Sequence, residues 1–301
     1  MYSKHLLLTL LMLLLVSTYT LAQAVKISGK VLEATTKQPI PYATIGIAGK
    51  GIGTVATASG DFSFTVKEGQ LTSTDKLVAS CVGYESSITT FNDGKMEVLQ
   101  FSLKPNTVEM KEVKVQAGKF RKKVLGKNDR EYFTHYNFYT VRDTAAHDRL
   151  GREVGNIINL NKACYLNDFN VYVGWSDFAS VKFRFNVYEV VSGLPGKSLL
   201  HEDVIFEVKG KKPGWMHVDL KAYNILVEGH DQVAVTVQWL ESVKQGKNSR
   251  FLSVPMAVSP VHTIVRRDKS TEEWKKSGGY LSMYLNAECY KPETDIEAKA
   301  E

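Results

Sequence analysis

The 301-residue chain is poor in cysteine, with only Cys81, Cys164 and Cys289. Three thiols are too few for a small domain held together by disulfides. One bridge can form, leaving one thiol over. Cys81 falls in the first half, whereas Cys164 and Cys289 bracket the second. A bridge, if one forms, therefore joins Cys164 to Cys289 and closes the ends of that half. The alternative is three half-buried thiols packing as small apolar groups.

Local signatures of catalysis are lacking too. His135, His147, His201, His217, His230 and His262 stand alone, with no H-E-x-x-H and no C-x-x-C, so no zinc-ligand set is written locally. There is no G-x-S-x-G elbow for a serine nucleophile. Gly193-Leu194-Pro195-Gly196-Lys197-Ser198 ends like a phosphate-binding loop, but Val191 stands where the first glycine belongs and strand follows where a helix is needed. It reads as a hairpin turn. Gly51-Ile52-Gly53 lacks the third glycine of a dinucleotide loop. Adjacent acids, Glu202-Asp203 and Glu272-Glu273, project to opposite faces of a strand and cannot flank one bond together. No cofactor, metal or catalytic residue is indicated. A site drawn from separated loops would leave no such trace, so a glycan-active hydrolase or esterase stands as the competing expectation.

Long apolar runs are confined to the start. Lys4 precedes Leu6–Val16, followed by a polar stretch and Ala22-Gln23-Ala24. A basic start, a short apolar core and an A-x-A end describe a secretory leader over 1–24. The run is shorter than the roughly 20 residues that span a bilayer. Export to the periplasm, the outer membrane or the cell exterior is expected, without a membrane-spanning segment. The formal charge of +6 is modest and mostly interspersed. An exported chain rarely meets nucleic acid, so an anionic envelope surface is the partner that charge suits.

What remains reads as strands. Over 25–104, Val25–Val31, Ala43–Ile47, Thr54–Ala58, Phe62–Val66, Leu77–Val82 and Val98–Leu103 alternate between turn residues, and Ser59-Gly60-Asp61 makes a tight hairpin. The ordered set Gly29-Lys30-Val31, Pro39-Ile40-Pro41-Tyr42-Ala43-Thr44-Ile45, Gly53-Thr54, Ser59-Gly60-Asp61-Phe62 and Val82-Gly83-Tyr84 resembles the carboxypeptidase regulatory-like domain. That resemblance implies a transthyretin-like Greek-key β-sandwich of the kind that opens exported and receptor proteins in Bacteroidetes. It implies no hydrolysis.

The segment 105–149 opens with an alternating strand, Val108–Val115, and continues into the basic run Lys119-Phe120-Arg121-Lys122-Lys123. Such a run is expected as a solvated linker, or as a dock for lipid phosphate or an acidic partner. From 150 to 290 strands return, and 291–301 is expected as a tail. In Val181–Val190, Phe183, Phe185 and Val187 share one face, and Arg184, Asn186 and Tyr188 the other. This pattern predicts a jelly-roll-like β-sandwich. The order Phe183–Tyr188, Gly193–Gly196, Gly214-Trp215, Val218-Asp219-Leu220 and Gln238-Trp239 is similar to the C-terminal half of Bacteroidetes proteins that carry the same first domain. The similarity implies architecture without an activity.

The fold expected is thus all-β, two sandwiches in tandem, and the function that of a non-catalytic envelope protein that binds a glycan or a protein. Candidate ligand-binding residues are Arg184, Asn186, Tyr188, Trp215 and Asp219, since sugars are held by aromatic stacking and by Arg, Asn and Asp hydrogen bonds. Trp175, Trp239 and Trp274 are spaced through the same module. The opposing expectation puts the tryptophans in the core and pairs Arg184 with Asp219 for structure.

Overall fold

The computed structural model describes residues 24–67, 69–90, 99–106, 118–129, 134–138, 149–160, 162–210, 212–246 and 249–292. Apart from Ala24, the expected leader lies outside them, as do the junction strand Val108–Val115 and most of the expected tail. Among the described residues no helix is long and apolar enough to cross a membrane.

The first module is two small sheets. Strands β1 (Ala24–Glu33), β4 (Asp61–Lys67) and β7 (Leu99–Leu103) form one, in the order β4-β1-β7. Strands β2 (Thr44–Ile47), β3 (Gly53–Val55), β5 (Lys76–Ser80) and β6 (Ser87–Thr90) form the other, in the order β3-β2-β5-β6. The period-two alternation sends Ile27, Val31, Phe62, Val66 and Phe101 inward to meet Ile45, Ile47, Leu77 and Ala79. Gly60 takes a φ of 77°, and a Cβ there would lie 2.7 Å from the Val31 carbonyl, so the hairpin admits only glycine without strain.

The second module is larger. A seven-stranded sheet runs β14 (Leu194–Ser198), β13 (Phe178–Val191), β18 (Gln232–Lys244), β10 (Glu153–Asn159), β20 (Thr263–Arg267), β21 (Lys275–Gly278), with β15 (Val204–Lys209) also on β13. A five-stranded sheet runs β16 (Gly214–Asp219), β11 (Cys164–Val173), β23 (Met283–Pro292), β8 (Gly118–Gly126), with β17 (Leu226–Val227) on β11. A four-stranded sheet comprises β12 (Trp175–Ser176), β19 (Leu252–Ala257), β22 (Tyr280–Leu281) and β9 (Thr134–Asn137). Phe183, Phe185, Val187, Val235, Val237 and Trp239 from the first sheet meet Phe169, Val171, Met283 and Leu285 from the second in one core. Ser192 and Gly193, both with positive φ, turn β13 into β14, so the loop that ends like a phosphate-binding motif is a β-hairpin.

The basic run departs from its expected role as a linker. Residues 118–126 are β8, paired along their whole length with β23 from Gly118↔Pro292 to Tyr284↔Gly126. Leu125 enters the core while Lys122 and Val124 stay exposed. Lysines on an edge strand discourage further strand pairing, which accounts for a charge run inside a sheet.

Cys164 and Cys289 sit opposite each other on β11 and β23 and form a disulfide, leaving Cys81 as the free thiol. The bridge closes 125 residues of chain. Replacing both cysteines by serine, or reducing the bridge, is expected to lower stability by about 2–5 kcal/mol. Urea unfolding with and without reductant measures this, and an unchanged midpoint would show that the strand pairing alone holds the two ends.

Candidate binding face

The five candidate residues do not form one site. Arg184, Asn186 and Tyr188 lie on the outer face of the seven-stranded sheet, whereas Trp215 and Asp219 lie on β16 of the five-stranded sheet. The outer face of the larger sheet is also closed to solvent. Arg184 and Asn186 are 3% and 2% exposed.

Arg184 pairs with Asp203 and not with Asp219. Its Nε and Nη2 donate to the two Asp203 carboxylate oxygens at 2.5 and 2.6 Å, Nη1 donates to Gln238 Oε1 at 2.9 Å, and Nη2 donates to the Tyr42 carbonyl at 3.0 Å. Burial alone would lower the pKa of this guanidinium, but the Asp203 carboxylate reverses the effect and keeps it charged. Tyr42 belongs to the first module and has a φ of 55°. Its hydroxyl donates to Glu241 Oε2 at 2.8 Å and accepts from Lys182 Nζ at 2.9 Å. Tyr42, Val55 and Leu240 pack together beside these bonds, and Gly49 N donates to the Thr271 carbonyl at 3.0 Å. The first module thus covers this end of the sheet.

A second buried network closes the other end. Glu153, with no exposed surface, accepts from Asn186 Nδ2 at 2.8 Å, Tyr188 Oη at 3.0 Å and the Thr236 hydroxyl. Its other oxygen accepts from Arg267 Nε and Nη2 at 2.9 and 2.6 Å. Trp274 lies on the Arg267 guanidinium at 4.2 Å. Burial, then the Glu153 charge, raises the Tyr188 pKa above its ordinary value. Each of these side chains is engaged by another of the set. Trp239 is core, and Trp175 is 56% exposed with its Nε1 on Asp177.

The open face is on the five-stranded sheet, and its side chains form a grid set by register. Trp215 is opposite Tyr172; His217, Asn170, Tyr284 and Gly126 form the next row; Asp219, Asp168, Asn286 and Val124 the next. Trp215 meets Tyr172 and Tyr284 edge-on at centroid distances of 5.4 and 5.0 Å. Beside them Asp168 Oδ1 accepts from Asn170 Nδ2 at 2.5 Å and Asn286 Nδ2 at 2.9 Å, and His217 Nδ1 lies 3.1 Å from Asn170 Oδ1. Asp219 is exposed and its Oδ1 accepts from the Lys221 amide at 3.0 Å. A groove of about 550 Å³ runs over Asp168, Asn286 and Lys221 to Lys122. Gly126, opposite Tyr284, presents no side chain to that ring.

Tyr172, Tyr284, Asp168, Asn170, His217 and Asn286 escaped the sequence reading. A bulge between Leu166 and Asp168 shifts the inward positions of β11 from even to odd numbers, so simple alternation mislabels half the strand. The alternation of Tyr284, Asn286 and Glu288 with buried Leu285, Ala287 and Cys289 in β23 was the available signal. Among the described residues no three His, Cys, Asp or Glu side chains gather to hold a metal ion.

Residues 27–115 match the CarboxypepD_reg-like domain family, which supports the resemblance of the first module. No curated protein matches the chain. Among solved structures the chain is 12% identical to the major pilin subunit of Bacillus cereus, covering 86% of this chain and 69% of that one at a TM-score of 0.20. A membrane-associated protein of unknown function from Bacteroides fragilis is 11% identical, with 89% and 98% covered and a TM-score of 0.20. A carbohydrate-binding module of the β-sandwich superfamily is 10% identical, with 90% and 98% covered and a TM-score of 0.16. Likenesses at this level carry no argument about function.

Two outcomes follow from the buried networks. Arg184→Met leaves the Asp203 carboxylate without its cation, and because that side chain is 22% exposed the loss is expected near the lower end for buried pairs, about 3 kcal/mol. Chemical denaturation measures it, and a loss well under 1 kcal/mol would contradict the role given to the pair. The second concerns alkali. Burial pushes the Cys81 thiol up from 9.0 to about 11, against the opposing charge of Arg184, and Tyr42 and Tyr188 are raised as well. The folded chain therefore keeps protons that the unfolded chain gives up, so stability is full below about pH 9 and is lost as pH rises toward 11. Urea midpoints at about pH 8 and about pH 10.5 should fall in that order, and Cys81→Ala should lessen the drop.

Proposed function

We propose that the chain is a non-catalytic binding protein of the cell envelope that holds a glycan on the outer face of its five-stranded sheet. The observation that carries this reading is the juxtaposition of Trp215, Tyr172 and Tyr284 with Asp168, His217 and Asn286 on the outer face of the five-stranded sheet, above a buried Asn170. Sugar rings offer apolar C–H faces and a rim of hydroxyls. Aromatic rings take the faces, while amides, an imidazole and a carboxylate take the hydroxyls as donors and acceptors. The envelope location rests on the basic, apolar and A-x-A order of the first 24 residues. The absence of catalysis is part of the proposal, supported by the engagement of Asp168 with two amide donors and of Glu153 within a buried network.

Titration of tryptophan fluorescence against dextran, xylan, polygalacturonate and peptidoglycan fragments tests the reading. Binding of at least one polymer is expected, and Trp215→Ala should weaken it by about 2 kcal/mol, near thirtyfold. Trp175→Ala, on a different sheet, should leave it unchanged. A flat response to the whole panel would refute the glycan reading, and release of reducing ends from a bound polymer would refute the non-catalytic part.

A further inference from the structure

Beyond the aromatic end, the open face changes character along β8. Lys122 and Lys123 line the groove over Asp168 and Asn286 together with Lys221. A second cavity, of about 320 Å³, lies on the other side of Val124, between β8 and the edge formed by Asn159, Thr263 and Tyr280. Val124 is 54% exposed and lines both cavities, so the two adjoin across one side chain. Lys127 stands in the second cavity with its ammonium 5.0 Å from the centre of the Tyr280 ring, and His262 meets the same ring edge-on at 5.2 Å. From Lys122 to Lys127 an extended chain covers roughly 17 Å. Together the two cavities make a trough whose lining runs from Lys122 to Lys127.

Its charge is also uneven. Among the described residues no carboxylate lies within ion-pair distance of Lys122, Lys123, Lys127 or Lys221. Two acids, Asp168 and Glu288, also line the trough. Asp168 accepts from Asn170 and Asn286, and Glu288 stands opposite Lys122 in register. Four lysines thus line the two cavities, with amide and aromatic side chains between them. Acidic groups spaced along a chain match that arrangement, and a neutral polymer leaves it unused.

We propose that the ligand is a linear acidic polysaccharide that runs from the Asp168–Asn286 groove across Val124 into the Tyr280 cavity, its anionic groups facing Lys122, Lys123, Lys127 and Lys221. This inference rests on the glycan reading above and deepens it. The Tyr280 ring and the Asn159 and Gln232 amides, which bond each other at 2.7 Å, supply the apolar and polar contacts of the second cavity.

The test compares polygalacturonate with dextran, together with galacturonate oligomers of increasing length and vesicles of phosphatidylglycerol. Polygalacturonate is expected to bind about tenfold tighter than dextran at low salt, with the advantage shrinking as salt screens the lysines. A Lys122→Ala, Lys123→Ala, Lys127→Ala triple variant should lose that advantage while its dextran binding, which reports an intact fold and face, stays as it was. Affinity should climb with oligomer length until both cavities are filled. Equal binding of acidic and neutral polymers, with dextran still dependent on Trp215, would overturn this inference and leave the glycan reading standing. Lysine-dependent binding to the anionic vesicles as tight as to polygalacturonate would overturn it in favour of a lipid surface. No polymer binding at all would remove the glycan reading itself.

Discussion

The arrangement of the molecule depends on one buried cation. Arg184 is held in the plane of Asp203, reaches Gln238 on the neighbouring strand and donates to the main chain of Tyr42 in the other module. A guanidinium taken out of water demands that its donors be matched, because each unmatched one costs the hydrogen bond and the desolvation together. The Tyr42 carbonyl is one of those matches, so the first module cannot leave this position without exposing a hole in the network. A buried ion pair adds little net stability compared with apolar packing, and what it supplies here is a donor for the Tyr42 carbonyl of the first module. Tyr42 meets that demand in a left-handed backbone conformation, which a bulky side chain adopts at a cost of about 1–2 kcal/mol.

From that constraint follows the division of labour between the two faces of the second module. The seven-stranded sheet carries an outer face as polar as any binding site, with Glu153, Asn186, Tyr188, Thr236 and Arg267 in contact, but each polar atom there is answered by another. Coverage by the first module at one end and by Trp274 at the other turns it into an interior. Among the described residues the five-stranded sheet carries no module packed over its outer face. Its aromatic rings and Asn286 stay partly exposed over a buried Asn170, and the disulfide between β11 and β23 ties together the two strands that supply most of them.

Strand positions, the hairpins at Gly60 and Gly193, the inward stripe of Phe183, Phe185 and Val187, and the first module with its family likeness were legible from residue order, because they depend on local alternation and turn chemistry. The Cys164–Cys289 bridge was legible as one of two alternatives. The basic run was misplaced as a linker, since a strand whose partner lies more than 150 residues away gives no local sign of pairing.

The candidate site shows the same limit. Alternation along one strand groups Arg184, Asn186 and Tyr188, and that grouping is real. Whether the shared face meets water or protein depends on what packs over it, and the covering residues come from Tyr42 to Trp274. Trp215 and Asp219 were chosen for their chemistry and do lie on the open sheet, but their neighbours Tyr172, Tyr284, Asp168 and Asn286 arrive from strands over 100 residues apart, one of them re-phased by a bulge. The sequence by itself determined that the chain is built of half-buried strands and which side chains share a face, because a period of two is a property of neighbouring residues. Only the tertiary structure decided which of those faces is interior and which is surface, because burial is a property of what lies across from it.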